Sequence, residues 1–173
     1  MEISSDVAII LNGTSSSGKS SIAQSIVELL EVPIIHAQID TFHEMFDFSK
    51  FDSGSDAFEA SKVAFSLFDS SINDICRHKY PIVIDTVFER IEYFQNTMSA
   101  IKSKHVFLIR VHCPLDELRI REKKRGDRRV GLAAEQFDCV HADKKYELEL
   151  DTSKLTSSAC AVKIIEHVNK RNC

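Results

Sequence analysis

Apolar and polar positions along the chain follow two patterns, one typical of buried strands and the other of amphipathic helices. Four nearly continuous apolar runs are typical of strands covered on both faces, and a fifth run alternates polar and apolar residues as an edge strand does. The predicted strands are residues 6–12, 34–39, 82–87, 105–111 and 144–151. The predicted helices are residues 19–31, 56–77, 91–103, 114–125, 132–140 and 156–170. This order predicts an α/β fold with a parallel sheet and crossover helices.

Length and composition are those of an ordinary globular protein. The 173 residues are expected to form one domain, with 43% hydrophobic and 28% charged residues. No run approaches the ~18–20 apolar residues of a membrane span, and the first residues lack the basic region of a signal peptide. We therefore expect a cytoplasmic protein without membrane contact. The five cysteines are scattered, with no C-x-x-C pair, and are interpreted as reduced thiols rather than zinc ligands.

Positive charge is concentrated in one segment of an acidic chain. The net charge is −4, yet residues 119–129 contain seven basic and two acidic residues, a net +5 that leaves −9 on the rest. Because nucleic-acid binding needs an extended basic surface, this distribution argues against a nucleic-acid partner. It favours a local anionic ligand instead.

A phosphate-binding loop follows the first predicted strand. The pattern G-x-x-x-x-G-K-[ST] is matched at every required position by Gly13, Thr14, Ser15, Ser16, Ser17, Gly18, Lys19 and Ser20. Its backbone amides and the following helix would cradle phosphates, Lys19 would reach the β- and γ-phosphates, and the Ser20 hydroxyl would ligate Mg²⁺. A chance match to a Gly/Ser-rich turn is the alternative. The strand, loop and helix context favours a nucleoside triphosphate as ligand.

Two aspartates follow other predicted strands. Asp85 ends an apolar strand and is a candidate Mg²⁺ ligand with Ser20, although such runs also end in Asp at simple turns. Asp40 ends the second strand, where ligands collect in open α/β sheets, and is a candidate catalytic base for a hydroxyl nucleophile. A helix cap is the alternative for Asp40, and His43 and Glu44 are the nearest rivals for the base.

The basic segment contains candidate lid residues. Lys123, Lys124 and Arg125 end a predicted helix, where they complement the helix dipole, so part of this charge could be only a solvated face. Arg125 and Arg128 flank Gly126, a predicted break. We interpret residues 119–140 as a lid whose Arg125 and Arg128 contact the phosphates and neutralise charge that develops during transfer.

Several of these motifs together resemble one family. The stretch from Arg125 to Gln136, which contains Arg-Gly-Asp-Arg and Gly-Leu-Ala-Ala-Glu-Gln, is the most specific, and the phosphate loop, Val140-His141 and Leu150-Asp151-Thr152 accompany it. Over nearly its whole length the chain resembles the chloramphenicol phosphotransferase-like proteins. In place of the family's two acids after the third strand, this chain has Asp85-Thr86.

The resemblance implies a three-layer P-loop, nucleoside-kinase-like fold with a five-stranded parallel sheet and a helical lid. It implies an ATP-dependent phosphotransferase that moves the γ-phosphate to a hydroxyl of a small molecule, with ATP and Mg²⁺ as cofactors. By position it gives Asp40 the role of base, Lys19 and Ser20 the phosphate and Mg²⁺ contacts, and Arg125 and Arg128 the lid contacts. Gln136 and His141 also match, but their chemistry indicates no unique duty, and we expect a helix-surface residue and a loop histidine.

The acceptor cannot be identified from the resemblance. Residues 41–77 are the expected acceptor side, and residues 41–68 within them show little resemblance to the antibiotic-modifying enzyme and are rich in phenylalanine. Phe42, Phe46 and Phe48 are the candidates to line this pocket. Phe58, Phe65 and Phe68 recur at helical spacing, which favours a position in the core. Two alternatives to the kinase remain, namely a nucleotide hydrolase without an acceptor and a non-catalytic nucleotide-binding protein.

Overall fold

The structure, a computed structural model, describes residues 1–102, 104–126 and 130–171. In these residues five parallel strands form a single sheet. The strands are β1 (Val7–Asn12), β2 (Ile35–Gln38), β3 (Ile82–Thr86), β4 (His105–His112) and β5 (Leu148–Asp151). Their order across the sheet is β2-β3-β1-β4-β5, and every neighbouring pair is parallel. This confirms the predicted five-stranded parallel sheet and places β5 at its edge.

Helices cover both faces of the sheet. They are α1 (Lys19–Leu29), α2 (Ile39–His43), α3 (Gly54–Ile75), α4 (Ile91–Ala100), α5 (Leu115–Arg125), α6 (Leu132–Phe137) and α7 (Ser157–Arg171), with a 3-10 turn at Phe48–Lys50. Helices α1 and α7 pack together on one face, and α3 and α4 on the other. The result is the predicted three-layer arrangement.

The central strand β1 explains why the first predicted run is apolar throughout. Every residue of β1 is buried, and successive side chains point to opposite faces. Ile9 and Leu11 pack in the core beneath α1 and α7, whereas Ala8 and Ile10 pack in the core beneath α3 and α4. A strand with two covered faces has no position at which a polar residue would be solvated.

The segment after β2 is where the predicted elements differ most from the structure. The short helix α2 was not predicted, and Asp40 is its second residue rather than the end of a strand. Helix α3 begins at Gly54, two residues earlier than predicted, because the Ser53 hydroxyl accepts a hydrogen bond from the Asp56 amide. Strand β5 is shorter than predicted and pairs with β4 only from Leu148 onward.

The sheet topology fixes where a ligand would bind. The carboxyl ends of β1, β2 and β3 lie at one edge, where the phosphate loop follows β1, Asp40 lies in α2 directly after β2, and Asp85 lies near the end of β3. In open α/β sheets such an edge is the usual binding crevice. No helix in the described ranges combines the length and apolar character needed to cross a membrane.

Candidate active site

The loop between β1 and α1 has the backbone of a phosphate cradle. Gly13 touches the β4 end so closely that a Cβ there would collide with the Val111 carbonyl oxygen, and Gly18 has φ of 94°. Ser16 also adopts a left-handed conformation, with φ of 62°. Within the described residues the buried hydroxyls of Ser16 and Ser17 have no hydrogen-bond partner, and of these two residues Ser16 borders the cavity in which a ligand would lie.

Lys19, Ser20 and Asp85 form one polar cluster at the start of α1. The Ser20 hydroxyl donates to Asp85 Oδ2 at 2.6 Å, and Lys19 Nζ lies 4.0 Å from Asp85 Oδ1 and donates to the Thr14 carbonyl at 2.9 Å. Lys19 and Asp85 are buried, so the charges compensate each other in a site of low dielectric constant. A hydroxyl and a carboxylate oxygen in contact are ligands that suit Mg²⁺, which usually keeps water and phosphate oxygens as its other ligands.

A cavity of about 1220 Å³ joins the predicted site residues. Its wall contains the phosphate loop from Ser15 to Ser20, except the buried Ser17, together with Asp40 and Arg125. The carboxylate at position 40 therefore shares one cavity with Lys19. The predicted contact of Arg128 falls outside the described residues.

Aromatic side chains line the end of the cavity beside Asp40, but not the set that the sequence predicts. Phe48 lies in the wall as expected, whereas Phe42 packs into the core with its ring centroid 5.4 Å from that of Phe68. Phe46 contacts Phe48 without lining the cavity. This corrects the expected positions of Phe42 and Phe46.

Two phenylalanines expected in the core line the cavity: Phe65 is part of the core as expected and also borders the cavity, whereas Phe58 is exposed in the cavity wall. Phe65 stacks on Tyr93 with ring centroids 3.9 Å apart, and Phe58 contacts the Lys62 ammonium and the Arg90 guanidinium. The helical spacing was interpreted correctly as a helix face, yet that face meets the cavity over part of its length. A helical pattern does not distinguish a packed neighbour from a cavity.

Arg121 is a site residue that the sequence did not single out from the basic segment. Its guanidinium donates to the Thr152 hydroxyl at 3.0 Å and to the Thr152 carbonyl at 2.8 Å, and the Thr152 hydroxyl donates to the Ser17 carbonyl at 2.8 Å. Arg121 also pairs with Glu117 at 3.0 Å. These bonds fix one cation beside the phosphate loop, whereas Lys124 and Arg125 line the cavity farther along α5.

Gln136 is buried, at 5% exposure, which corrects the expectation of a helix-surface residue. Its Oε1 accepts from the Ser15 amide at 2.6 Å, and its Nε2 donates to Glu89 Oε1 at 2.5 Å. The matching Ala-Ala-Glu-Gln motif was the signal that could have identified it. Nothing in the sequence indicated a partner for the side-chain amide of Gln136.

His141 lies in a loop, as expected, and belongs to a hydrogen-bonded group behind the phosphate loop. Its Nδ1 is 2.9 Å from the Tyr146 hydroxyl, which accepts from buried Asn12 at 2.7 Å. Burial, reinforced by positive charges that include Arg110, lowers the pKa of His141 to about 4. The ring is therefore neutral at pH 7 and can accept the Tyr146 proton.

A buried carboxylate anchors the lid segment. Glu122, at 1% exposure, accepts from the Gly131 amide at 2.7 Å and from the Ala133 amide at 3.0 Å. These amides begin α6, where a carboxylate also complements the helix dipole. Leu118, Ala133 and Cys113 form a small apolar cluster beside this contact. The two lid helices therefore form one packed unit.

The chain is similar in sequence to one family over most of its length. The model of the family described as chloramphenicol phosphotransferase-like protein matches residues 6–169. A Mycobacterium tuberculosis protein, provisionally named an O-phosphotransferase, is 28% identical over 167 residues, covering 84% of this chain and 74% of the relative.

Solved kinase structures have the same fold. The APS kinase of Mycobacterium tuberculosis, solved with AMPPNP and APS, has a TM-score of 0.65 and 15% identity, covering 94% of this chain and 97% of that chain. The shikimate kinase of Acinetobacter baumannii, solved with shikimate, has a TM-score of 0.64 and 12% identity, covering 95% and 94% of the respective chains. At these identities the likeness establishes the fold alone.

Proposed function

Because this chain belongs to the chloramphenicol phosphotransferase-like family, we propose that it transfers the γ-phosphate of ATP to a hydroxyl group of a small molecule. The observation that carries the proposal is the single cavity whose wall contains both the phosphate loop and Asp40. Phosphoryl transfer requires little more from a protein than in-line positioning and charge stabilisation, and one cavity with these groups provides both.

The donor side of the cavity supports nucleotide binding. The loop amides, Lys19 and the N-terminal end of α1 bind the phosphate tail, and Arg121 and Arg125 add positive charge on the lid side. Ser20 and Asp85 would hold Mg²⁺, which neutralises charge on the phosphate oxygens when it is bound. In the described residues no group of three or more His, Cys, Asp or Glu side chains could hold a metal, so this site depends on the nucleotide for further ligands.

Asp40 is the proposed base on the acceptor side. Its position in the first turn of α2 places the carboxylate at the sheet edge, in the same cavity as Lys19. There it would orient the acceptor hydroxyl and take its proton as the oxygen attacks phosphorus. Phe48, Phe65 and Tyr93 offer apolar contacts to the rest of the acceptor.

The proposal is tested with Asp40→Asn. We expect the rate of phosphoryl transfer to fall by about 10²–10⁴-fold, the usual contribution of a positioned acid or base. Affinity for Mg-ATP, measured by calorimetry, should stay within about threefold of wild type because Asp40 serves the acceptor hydroxyl rather than the nucleotide in this scheme. The substrate screen uses Mg-ATP with a library of alcohols and detects phosphorylated product by mass spectrometry.

Asp52→Asn is the matched control, because Asp52 is an exposed aspartate in the same region, outside the cavity wall. Its activity should equal that of wild type. Unchanged turnover in Asp40→Asn would reject the assigned base. Rapid phosphate release without any acceptor, with no phosphorylated product, would favour nucleotide hydrolysis over transfer.

A further inference from the structure

Gln136 connects three separate parts of the site. Its amide group accepts from the Ser15 amide in the phosphate loop and donates to Glu89 between β3 and α4, while its backbone belongs to lid helix α6. Ser15 offers a donor and Glu89 an acceptor, so only one orientation of the amide satisfies both. A buried side chain with both ends engaged is held in one conformation.

The helix that carries Gln136 is itself fixed. Glu122 binds the first amides of this helix, and Ala133 packs against Leu118 and Cys113. The position of Gln136 therefore follows that of the lid helices. Any displacement of the lid would be transmitted to Ser15 and to Glu89.

Glu89 differs from Gln136 in being exposed, and the surface that it reaches is the cavity. Burial, with a smaller contribution from the negative charge of Glu89, raises the pKa of both Tyr93 and Cys139. Tyr93, Cys139 and Glu89 all line the cavity, and the Glu89 carboxylate is close enough to both side chains to influence them. Gln136 donates to Oε1 of Glu89, and no described residue donates a hydrogen bond to Oε2, which a ligand in the cavity could therefore use.

If residue 89 only held Gln136 in place, it would need a hydrogen-bond acceptor but no charge. A glutamine or a backbone carbonyl would accept from Gln136 equally well. A carboxylate oriented by one oxygen at a cavity wall that also contains Asp40 is instead typical of a group prepared to bind a hydrogen-bond donor.

We propose that Glu89 is a specificity-determining contact for the acceptor, and that Gln136 is the positioning residue that holds its carboxylate. Resting on the proposed phosphotransferase activity, this inference narrows the acceptor class. The acceptor carries a second hydrogen-bond donor, either a hydroxyl or an ammonium group, near the hydroxyl that receives the phosphate. Asp40 serves the reacting hydroxyl, and Glu89 serves the second donor.

The positioning role is tested first with Gln136→Glu alone and then with the double variant that exchanges the two residues. Gln136→Glu keeps an acceptor for the Ser15 amide but sets two carboxylates against each other, so we expect KM for the acceptor to rise about tenfold, the effect of losing a hydrogen bond to a charged group. KM for ATP should change by less than about threefold. In the double variant Glu89→Gln with Gln136→Glu, the bond between the two side chains is restored with reversed polarity, and KM for a diol acceptor should return to near the wild-type value.

The contact itself is tested with acceptor pairs from the substrate screen. A diol or amino alcohol should be a better substrate than the analogue lacking the second donor, and Glu89→Ala should abolish this preference. In Glu89→Gln, Gln136 still donates to the one remaining oxygen, so the new amide nitrogen faces the acceptor. A hydroxyl partner can accept from this nitrogen, whereas an ammonium partner loses its counter-charge and meets only a donor. If Glu89→Gln loses more activity with the amino alcohol than with the diol, the ammonium group is the natural partner. Equal, modest losses of activity with both acceptors identify the hydroxyl.

Gln24 and Glu28 provide the matched control, because they form a Gln-to-Glu hydrogen bond of 3.1 Å on the exposed face of α1. Exchanging them should leave both KM values unchanged. The inference is overturned if Gln136→Glu lowers only the melting temperature, if the exchange fails to restore KM, or if removal of the second donor does not matter. Wild-type protein that binds Mg-ATP yet phosphorylates no alcohol would instead reject the proposed function.

A separate measurement tests Gln136 without any acceptor. Gln136→Met keeps the volume of the side chain and removes its bonds to Ser15 and Glu89, so the calorimetric Kd for Mg-ATP should rise several-fold. Gln136→Glu, which retains an acceptor for Ser15, should not show this loss. Equal affinities for wild type, Gln136→Met and Gln136→Glu would overturn the positioning role even if transfer is established.

Discussion

At the scale of single residues, the Ser20 hydroxyl links the phosphate loop that follows β1 to Asp85 in β3. Ser20 is the second residue of α1 and donates to Asp85, the last residue but one of the buried strand β3. In Ser20→Ala we expect turnover to fall by about 10²-fold or more, since a metal and phosphate contact contributes several kcal/mol. The Mg²⁺ concentration that gives half-maximal activity should rise as well. A Mg²⁺ titration of the initial rate measures both effects.

Ser158→Ala is the control for this prediction, because Ser158 is an exposed serine near the start of α7. It should leave the Mg²⁺ dependence unchanged. A Ser20→Ala protein with the wild-type Mg²⁺ titration curve would contradict the assignment of Ser20 and Asp85 as the metal-binding pair.

The low pKa of His141 predicts that the protein loses stability in mild acid. The folded-state pKa of about 4 lies below the ordinary histidine value of 6.5, so the unfolded chain takes up a proton first as pH falls. The part of the stability that depends on a neutral His141 ring is fully present above pH 6.5 and is lost progressively toward pH 4. Between pH 7.5 and 5 the histidine accounts for at most about 2 kcal/mol of the free energy of unfolding, less if solvent reaches the ring.

His141→Asn tests this dependence, because the asparagine oxygen can accept from Tyr146 without titrating. Urea unfolding at pH 7.5 and pH 5 should show a smaller difference for the variant than for wild type. The exposed His78→Asn is the control and should retain the wild-type difference. A variant with an undiminished acid effect would show that His141 is not its source.

At the scale of elements, the lid is the least self-sufficient part of the fold. Helix α6 has six residues, too few to be stable alone, and its first amides depend on Glu122 of α5. Replacing Glu122 by Gln exchanges one of the two accepting oxygens for a donor. We expect the free energy of unfolding to fall by about 1–3 kcal/mol, the cost of unsatisfied buried groups.

Urea unfolding and hydrogen exchange measure this change. Exchange of the α6 amides should accelerate, while that of the β1 amides should follow only the global stability. Asp116→Asn is the control on the same helix, because Asp116 forms only a surface ion pair with Arg119. Unchanged exchange of α6 in Glu122→Gln would show that the lid does not depend on this carboxylate.

At the scale of the whole molecule, nucleotide binding should stabilise the fold. The phosphate loop joins β1 to α1 and contacts Thr152 and Gln136, so a ligand there would link the sheet, the β5 end and the lid. Mg-ATP at 100 times its Kd contributes about 2.7 kcal/mol, which raises the melting temperature of a chain of this size by roughly 5–10 °C.

A thermal melt with and without EDTA tests this effect. Removing Mg²⁺ should reduce the ATP-dependent shift, and Lys19→Met should abolish most of it. EDTA without nucleotide should leave the melting temperature unchanged, because the proposed metal site depends on phosphate oxygens. Stabilisation by ATP that survives Lys19→Met in full would indicate a binding site elsewhere.

The sequence by itself determined the elements whose signals are local. The buried strands follow from unbroken apolar runs, β5 from alternation, and the phosphate loop from glycines and a lysine at fixed spacing. Their order along the chain also predicts the parallel sheet, since crossover connections have few packing solutions. The positions of Asp40 after the second strand and of Asp85 near the end of the third were sufficient to propose that both carboxylates lie near the phosphate loop.

Only the tertiary structure decided which side chains share the cavity. Phe42 and Phe65 have similar local patterns, yet one packs in the core and the other also borders the cavity. Gln136 and Thr152 act through partners distant in sequence, and no periodicity encodes a hydrogen bond across 121 residues. Local propensity is set by neighbours in sequence, whereas a cavity wall and a buried hydrogen bond are set by helices and loops that meet only after folding.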